Sequence, residues 1–379
     1  MNKILHVILI LFLINGFFVA SLGYASALDL SEDSWNTKTP MSQARAGLGV
    51  VAVDGKIYAI GGSTANGFHL ALSSSGGYVG TNEQYDPKTD TWTILEPMPT
   101  PRAGFAIAAY DGKIYCIGGF VCDKHDQLVN LNVVEVYDIG TNSWSTKNPI
   151  PINELVVSSV SGPKTAGIIN GNIFIIANQW NLFMYNPVDD VWVEKNHVPL
   201  YLHAVSTVAD GKVIVTGNFL HMHFEPKVMI YDPETDMWRY GKSGPLLEGS
   251  SVAVGVTTGL YAPQNIYVFS DAKDTVAYDP LNDDWMTAQN MPTDRIAFGV
   301  AVVDDVVYVI GGFSTNSPLT PYALNEQYVP IGYSASHGAL WVSLTVIVSV
   351  VILIFVAIAF CLLKFNFFRT RRIQQKVFS

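Results

Sequence analysis

The chain has 379 residues, 49% hydrophobic and 14% charged, with 31 glycines, 8 tryptophans and 18 tyrosines, enough apolar residues for a large core and a composition that suits many short strands better than helices. Its formal charge is −10, but six of the 22 basic residues (Lys3, Lys364, Arg369, Arg371, Arg372 and Lys376) lie in terminal stretches without Asp or Glu, leaving 16 basic against 32 acidic residues between them. So acidic a middle has no basic stripe to follow a phosphate backbone, which excludes nucleic acid as a partner.

Residues 1–27 read as a secretory signal: Lys3 supplies the positive start, Ile4 to Ala20 the apolar run, and Ala25-Ser26-Ala27 a small-x-small cleavage site. The apolar run is long for a signal, so an uncleaved anchor is the competing reading.

From there a repeat takes over. Tyr85, Tyr137, Tyr185, Tyr231 and Tyr278 are each followed seven residues later by a tryptophan, at Trp92, Trp144, Trp192, Trp238 and Trp285, and the tyrosines recur every 46 to 52 residues. Between each Tyr and Trp lies turn chemistry such as Asp86-Pro87-Lys88-Thr89-Asp90, so the two aromatics sit on the two strands of one hairpin. A second hairpin precedes the tyrosine, with apolar runs around turns such as Asp54-Gly55, Asp111-Gly112 and Asp210-Gly211. Each unit is therefore expected to be a four-stranded antiparallel sheet.

A Gly-Gly after the second strand, as in Ile57-Tyr58-Ala59-Ile60-Gly61-Gly62, followed by Tyr-Asp-Pro and Trp at this period, resembles the kelch repeat over about residues 33–331. The resemblance implies an all-β, six-bladed kelch-type β-propeller over residues 28–331, one unit per blade. Tyr328 has Ala335 in place of a tryptophan seven residues downstream, whereas Trp35 has Leu28 in place of a tyrosine seven residues upstream. The last blade is thus closed by the N-terminal strand around Trp35, which removes an exposed edge.

After a short linker, 332–338, residues 339–363 carry no charge for 25 residues, a helix of about 37 Å at 1.5 Å per residue that is long enough to cross a bilayer. The basic tail 364–379 belongs in the cytoplasm, which places the propeller outside a cell membrane as a single-pass type I protein. The first-to-second and third-to-fourth connections are short turns, so the variable surface lies on the opposite face, in the loops 63–82, 120–132, 219–227 and 313–325. The chain leaves from the tight-turn face, which therefore looks toward the lipid and leaves the long-loop face free.

Arg45, Arg102 and Arg295 each precede a Gly-Gly by sixteen residues, and Glu83, Glu135 and Glu326 stand two residues before the tyrosine of the same three units. Units three to five lack all three features, with Phe183, Met229 and Val276 at the glutamate position. Features that come and go together favour a packed structural ion pair over a carboxylate clamp for a ligand. Candidate ligand-binding residues are Trp180, Tyr201, His203, His221 and His223, in or beside the long loops of the units without the pair. Their spacing fits no metal motif, so no metal is expected. Only Cys116 and Cys122 lie in the propeller, and a bridge between them needs the chain to double back sharply.

No nucleophile elbow, paired-carboxylate motif or phosphate loop is present, so no cofactor is expected. The reading is a cell-surface binding or adhesion module that recognises an extracellular protein or glycan through the long-loop face. The alternative is a surface-tethered carbohydrate-active enzyme, since some exported kelch propellers resemble sialic acid mutarotases. Copper-radical oxidases of the galactose oxidase type fit poorly, because neither cysteine has the surrounding motif.

Overall fold

The computed structural model describes residues 30–64, 77–125, 128–151, 167–177, 181–199, 203–218, 228–245, 252–314 and 320–334. The signal, the membrane segment and the tail expected from the sequence lie outside these residues. Among the described residues no helix is long and apolar enough to cross a membrane.

Those residues form six four-stranded antiparallel sheets. Blade 1 comprises Gly49–Val53, Lys56–Ile60, Asn82–Asp86 and Thr91–Leu95, and blade 2 Ala106–Tyr110, Lys113–Ile117, Val134–Asp138 and Ser143–Lys147. Blade 3 comprises Gly167–Ile169, Asn172–Ala177, Asn181–Asn186 and Val191–Glu194, and blade 4 His203–Ala209, Lys212–Asn218, Met229–Asp232 and Met237–Tyr240. Blade 5 runs through Val252–Val256, Ile266–Ser270, Thr275–Asp279 and Asp284–Ala288. Blade 6 takes Gly299–Val303, Val306–Ile310 and Asn325–Val329 from the end of the chain and its outer strand, Ser34–Lys38, from the beginning. Trp35 faces Tyr328 in that closing pair.

No sheet can bury both faces alone, so each packs against its neighbours. The buried clusters accordingly lie between blades: Ile175, Phe183 and Tyr185 of blade 3 share a core with Val134 and Val136 of blade 2, and Val213, Met229 and Tyr231 of blade 4 with Phe174 and Leu182 of blade 3. The innermost strands of all six blades surround an axial cavity of about 360 Å³ walled by valine, alanine, isoleucine, glycine, Phe298 and Thr207.

One repeated device joins the blades. In every blade the tyrosine and tryptophan face each other across the hairpin, ring centroids 4.6–5.2 Å apart. Two residues before the tryptophan stands an Asp or Asn (Asp33, Asp90, Asn142, Asp190, Asp236, Asp283) with φ between 48° and 57°. Its side-chain oxygen accepts from the tyrosine hydroxyl at 2.5–2.8 Å. It also accepts a backbone N–H of the preceding blade, from Thr39, Glu96, Asn148, Asn196, Lys242 or Gln289, at 2.7–3.3 Å. The indole N–H donates to the carbonyl of that same residue at 2.8–3.1 Å. Both polar groups of one peptide residue are thus held by the next blade, and six such nodes complete the ring. The seven-residue spacing thus sets a pair within a blade, and the indole N–H and the Asp or Asn make the link between blades.

The tight-turn face departs from the two-residue pattern in blade 5, where 257–265 joins the first two strands. Asp305, on the neighbouring turn of blade 6, holds that loop by accepting the N–H groups of Thr258, Tyr261 and Ala262. The exit from the last blade packs on blade 5: Tyr333 stacks on Tyr261 of the same loop with centroids 6.3 Å apart, and Ile331 N–H donates to the hydroxyl of Tyr267, in the second strand, at 3.1 Å.

Candidate binding face and its buried ion pairs

Arg45, Arg102 and Arg295 have no exposed side-chain surface and lie against carboxylates, Arg45 at 2.8 Å from Glu83, Arg102 on Glu135 and Arg295 on Glu326. The second oxygen of each carboxylate accepts a hydroxyl, from Ser42 to Glu83, from Thr100 to Glu135 at 2.7 Å and from Thr293 to Glu326 at 2.7 Å. The guanidinium groups brace backbone carbonyls at the end of the second strand. Arg102 donates to Cys116 O at 2.9 Å and Gly118 O at 2.7 Å, Arg45 to Ala59 O at 3.1 Å, and Arg295 to Gly311 O at 3.3 Å. Burial lowers the Arg295 guanidinium to about 10, which leaves it charged at neutral pH. Burial also lowers Arg45, while the Glu83 charge pulls it back up.

The diglycines serve the backbone before they serve the arginines. Gly62, Gly119 and Gly312 have φ of 101°, 101° and 99°, and a Cβ on each would come within 2.8 Å of the carbonyl oxygen of Ala46, Ala103 and Ile296 respectively. Only Gly fits there. The arginine stems come third, 3.3 Å from such a Cβ at Gly119 and Gly312, behind the Cβ atoms of Phe105 and Phe298.

Beyond each diglycine the chain bridges back to the lead-in of the first strand: Ser63 to Ala46 and Tyr78, Phe120 to Ala103, Phe313 to Ile296 and Pro321. Gly47 N–H donates to Ala297 O at 2.8 Å and Gly104 N–H to Gly47 O at 2.9 Å, which ties blades 6, 1 and 2 together. Ala46, Ala103, Ala297, Phe120 and Phe313 form one buried cluster under this layer. Three buried ion pairs therefore underlie a hydrogen-bonded platform at the long-loop end of half the ring. In blades 3, 4 and 5 Phe183, Met229 and Val276 take the glutamate position and are buried in inter-blade cores.

Of the ligand-binding candidates, His203 is the first residue of the inner strand of blade 4, opposite Asn218. Trp180, Tyr201, His221 and His223 lie outside the described residues. Among the described residues no group of three or more His, Cys, Asp or Glu side chains is placed to hold a metal. Cys116 and Cys122 are not joined by a disulfide. Burial pushes Cys116 up to about 12, so it is unreactive at neutral pH, and Cys122 accepts from the Tyr78 hydroxyl at 3.4 Å. The hydroxyl partners Ser42, Thr100 and Thr293 and the buried Met41, Met98 and Met291, each four residues before an arginine, are parts of the unit that the repeat pattern alone did not pick out.

Known proteins are similar to this chain in sequence or in fold. The Kelch motif family matches residues 44–99 and 101–150, which are blades 1 and 2 with their lead-ins. The chain is 29% identical to Kelch-like protein 35 of Mus musculus over 205 residues, 54% of this chain and 32% of that protein. It is 30% identical to beta-scruin of Limulus polyphemus over 242 residues, 60% of this chain and 25% of that protein. A match to an F-box/kelch-repeat protein of Arabidopsis thaliana, at 27% identity, covers 65% of this chain and 60% of the relative. The chain thus spans less than two thirds of each of these relatives. The solved structure of YjhT superposes with a TM-score of 0.55 at 14% identity, covering 75% of this chain and 95% of that one, a likeness of fold. The Kelch motifs of blades 1 and 2, the kelch-repeat relatives and the six blades together support a kelch-repeat β-propeller.

Proposed function

We propose that the chain is a membrane-anchored, cell-surface binding module that recognises a protein, or secondarily a carbohydrate, through the long-loop face. The observation that carries this reading is the platform: buried charges and diglycines spend their chemistry on fixing the base from which the long loops rise. Kelch propellers are typically protein-binding units, which favours a protein ligand. The anchor rests on the charge-free stretch 339–363 and the five bases after it.

Carbohydrate conversion fits less well. It needs charged groups facing a ligand, yet the three repeat arginines are wholly buried on their glutamates, and among the described residues no charged side chain lines the axial cavity. Display of the full chain on cells, with panning against glycans and surface proteins, tests the proposal. Saturable binding that disappears when 65–76 and 219–227 are exchanged for short Gly-Ser connections is expected. Turnover of sialic acid or galactose by the purified chain overturns it, as does binding indifferent to both exchanges.

A further inference from the structure

The six outer strands follow one plan, with the tryptophan turned into the ring and the residues on either side of it turned away. Those flanking residues are Ser34 and Asn36 in blade 6, Thr91 and Thr93 in blade 1, Ser143 and Ser145 in blade 2, Met237 and Arg239 in blade 4, and Asp284 and Met286 in blade 5. Each of these pairs includes a polar or charged side chain, the usual protection of a sheet edge against pairing with another chain. Blade 3 departs from the plan. Val191 and Val193 flank Trp192 and are 50% and 40% exposed, and Val188 in the preceding turn is 79% exposed. Among the described residues the strand Val191–Glu194 has a neighbour, Asn181–Asn186, on one side only.

We infer that this edge of blade 3 is a docking site for an extended, lysine- or arginine-bearing strand of a partner protein, which adds to the sheet beside Val191–Glu194. Main-chain hydrogen bonds to the open edge supply affinity, and alternate apolar side chains of the guest cover Val191 and Val193. The charge of the guest follows from its surroundings. Asp189 and Glu194 are exposed on either side of the two valines. Each accepts one amide N–H, from Asn186 and Asn181 respectively, and Glu194 also lies 3.2 Å from His197, which leaves oxygens of both facing solvent. The propeller as a whole is strongly acidic, which repels a second copy and attracts a cationic strand. This surface is separate from the long-loop face, so it stands or falls independently of the ligand proposed there.

The test uses the full chain in mild detergent and a short synthetic peptide, blocked at both ends, in which valine and lysine alternate. Its glutamate counterpart and a version with a central proline serve as controls. Fluorescence anisotropy of the labelled peptide should show salt-sensitive binding, and the amides of Val191–Glu194 should gain protection from hydrogen exchange. Val191→Thr with Val193→Thr, which installs the pair blade 1 carries at Thr91 and Thr93, should weaken binding about tenfold or more with thermal unfolding unchanged. Absence of binding, binding that survives the double substitution, or equal binding of the proline peptide overturns the proposal. So does a dimer in light scattering that the same substitutions convert to monomer, since a second copy would then be the occupant.

Discussion

In blades 6, 1 and 2 the position two residues ahead of the blade tyrosine holds a buried glutamate tied to an arginine, whereas in blades 3, 4 and 5 it holds Phe183, Met229 or Val276. Both solutions close the same ring with the same tyrosine, tryptophan and Asp or Asn node. The ion pair is therefore not what makes a blade. Desolvating two charges costs several kcal/mol per ion, and a well-packed apolar set is often as stable. What the charged blades have in addition is the platform: the guanidinium groups donate to carbonyls at the end of the second strand and in the diglycine turn, and the chain beyond that turn bridges to the strand lead-ins. Charge is retained where the backbone leaves the regular ladder.

The largest effect that would break this account is the loss of one partner. Arg102→Leu leaves Glu135 buried and uncompensated and should destabilise by about 3–5 kcal/mol in chemical denaturation. Adding Glu135→Met, the residue blade 4 uses at Met229, should recover most of that loss. The carbonyls of Cys116 and Gly118 still lack their donor in the double variant, so the amides of Phe120–Cys122 should exchange faster than in the wild type. If the double variant exchanges at the wild-type rate, the pair does not support the platform.

A second contrast sharpens the role of closure. Trp192 and Trp35 occupy the same place in blades 3 and 6, but Trp192 stays tethered through its own hairpin whereas Trp35 is joined to Tyr328 only by the ring. Trp35→Ala removes the contacts with Phe269 and Tyr328 and the hydrogen bond to Gln289, at about 3 kcal/mol for a half-buried indole. Exchange should then rise across Asn325–Val329. Trp192→Ala should cost a similar amount while leaving Asn181–Asn186 protected, and equal exchange at the two sites would show that closure adds nothing beyond an ordinary blade.

Much of this was legible in the sequence because it is carried by side chains with unmistakable spacing: six Tyr–Trp pairs, the sixth split between Tyr328 and Trp35, and the joint occurrence of arginine, glutamate and diglycine. The node was only half legible. Asp90 and Asp236 read as turn residues, and their second task escaped notice because the partner is a backbone N–H on Thr39 or Asn196, where the side chain carries no signal. The loop 257–265 was missed for a similar reason, since Asp305, which holds it, is more than forty residues away in sequence. The edge of blade 3 differs by residue type, since Val191 and Val193 replace a pair with at least one polar member, and that difference was legible once the outer strands were aligned on their tryptophans.

The smallest effect separates charge from geometry at the nodes. The Tyr231 hydroxyl lowers the Asp236 carboxyl below its ordinary range, and the Lys242 N–H followed by the Tyr278 hydroxyl does the same for Asp283. At Asp90 burial pushes upward, but the Tyr85 hydroxyl and the Thr39 N–H outweigh it. A carboxyl whose folded value is depressed contributes stability that is present above its unfolded value of about 3.9 and is lost as the pH falls through the folded value. Blade 2 does without that charge: Asn142 accepts the same two bonds, from Tyr137 at 2.6 Å and Glu96 at 3.0 Å. Asp90→Asn, Asp236→Asn and Asp283→Asn together should therefore leave the urea midpoint near neutrality almost unchanged and flatten its fall between about pH 5 and pH 2. An equally steep acid limb in the triple variant would place the acid sensitivity elsewhere, in carboxylates whose partners are cations rather than tyrosines.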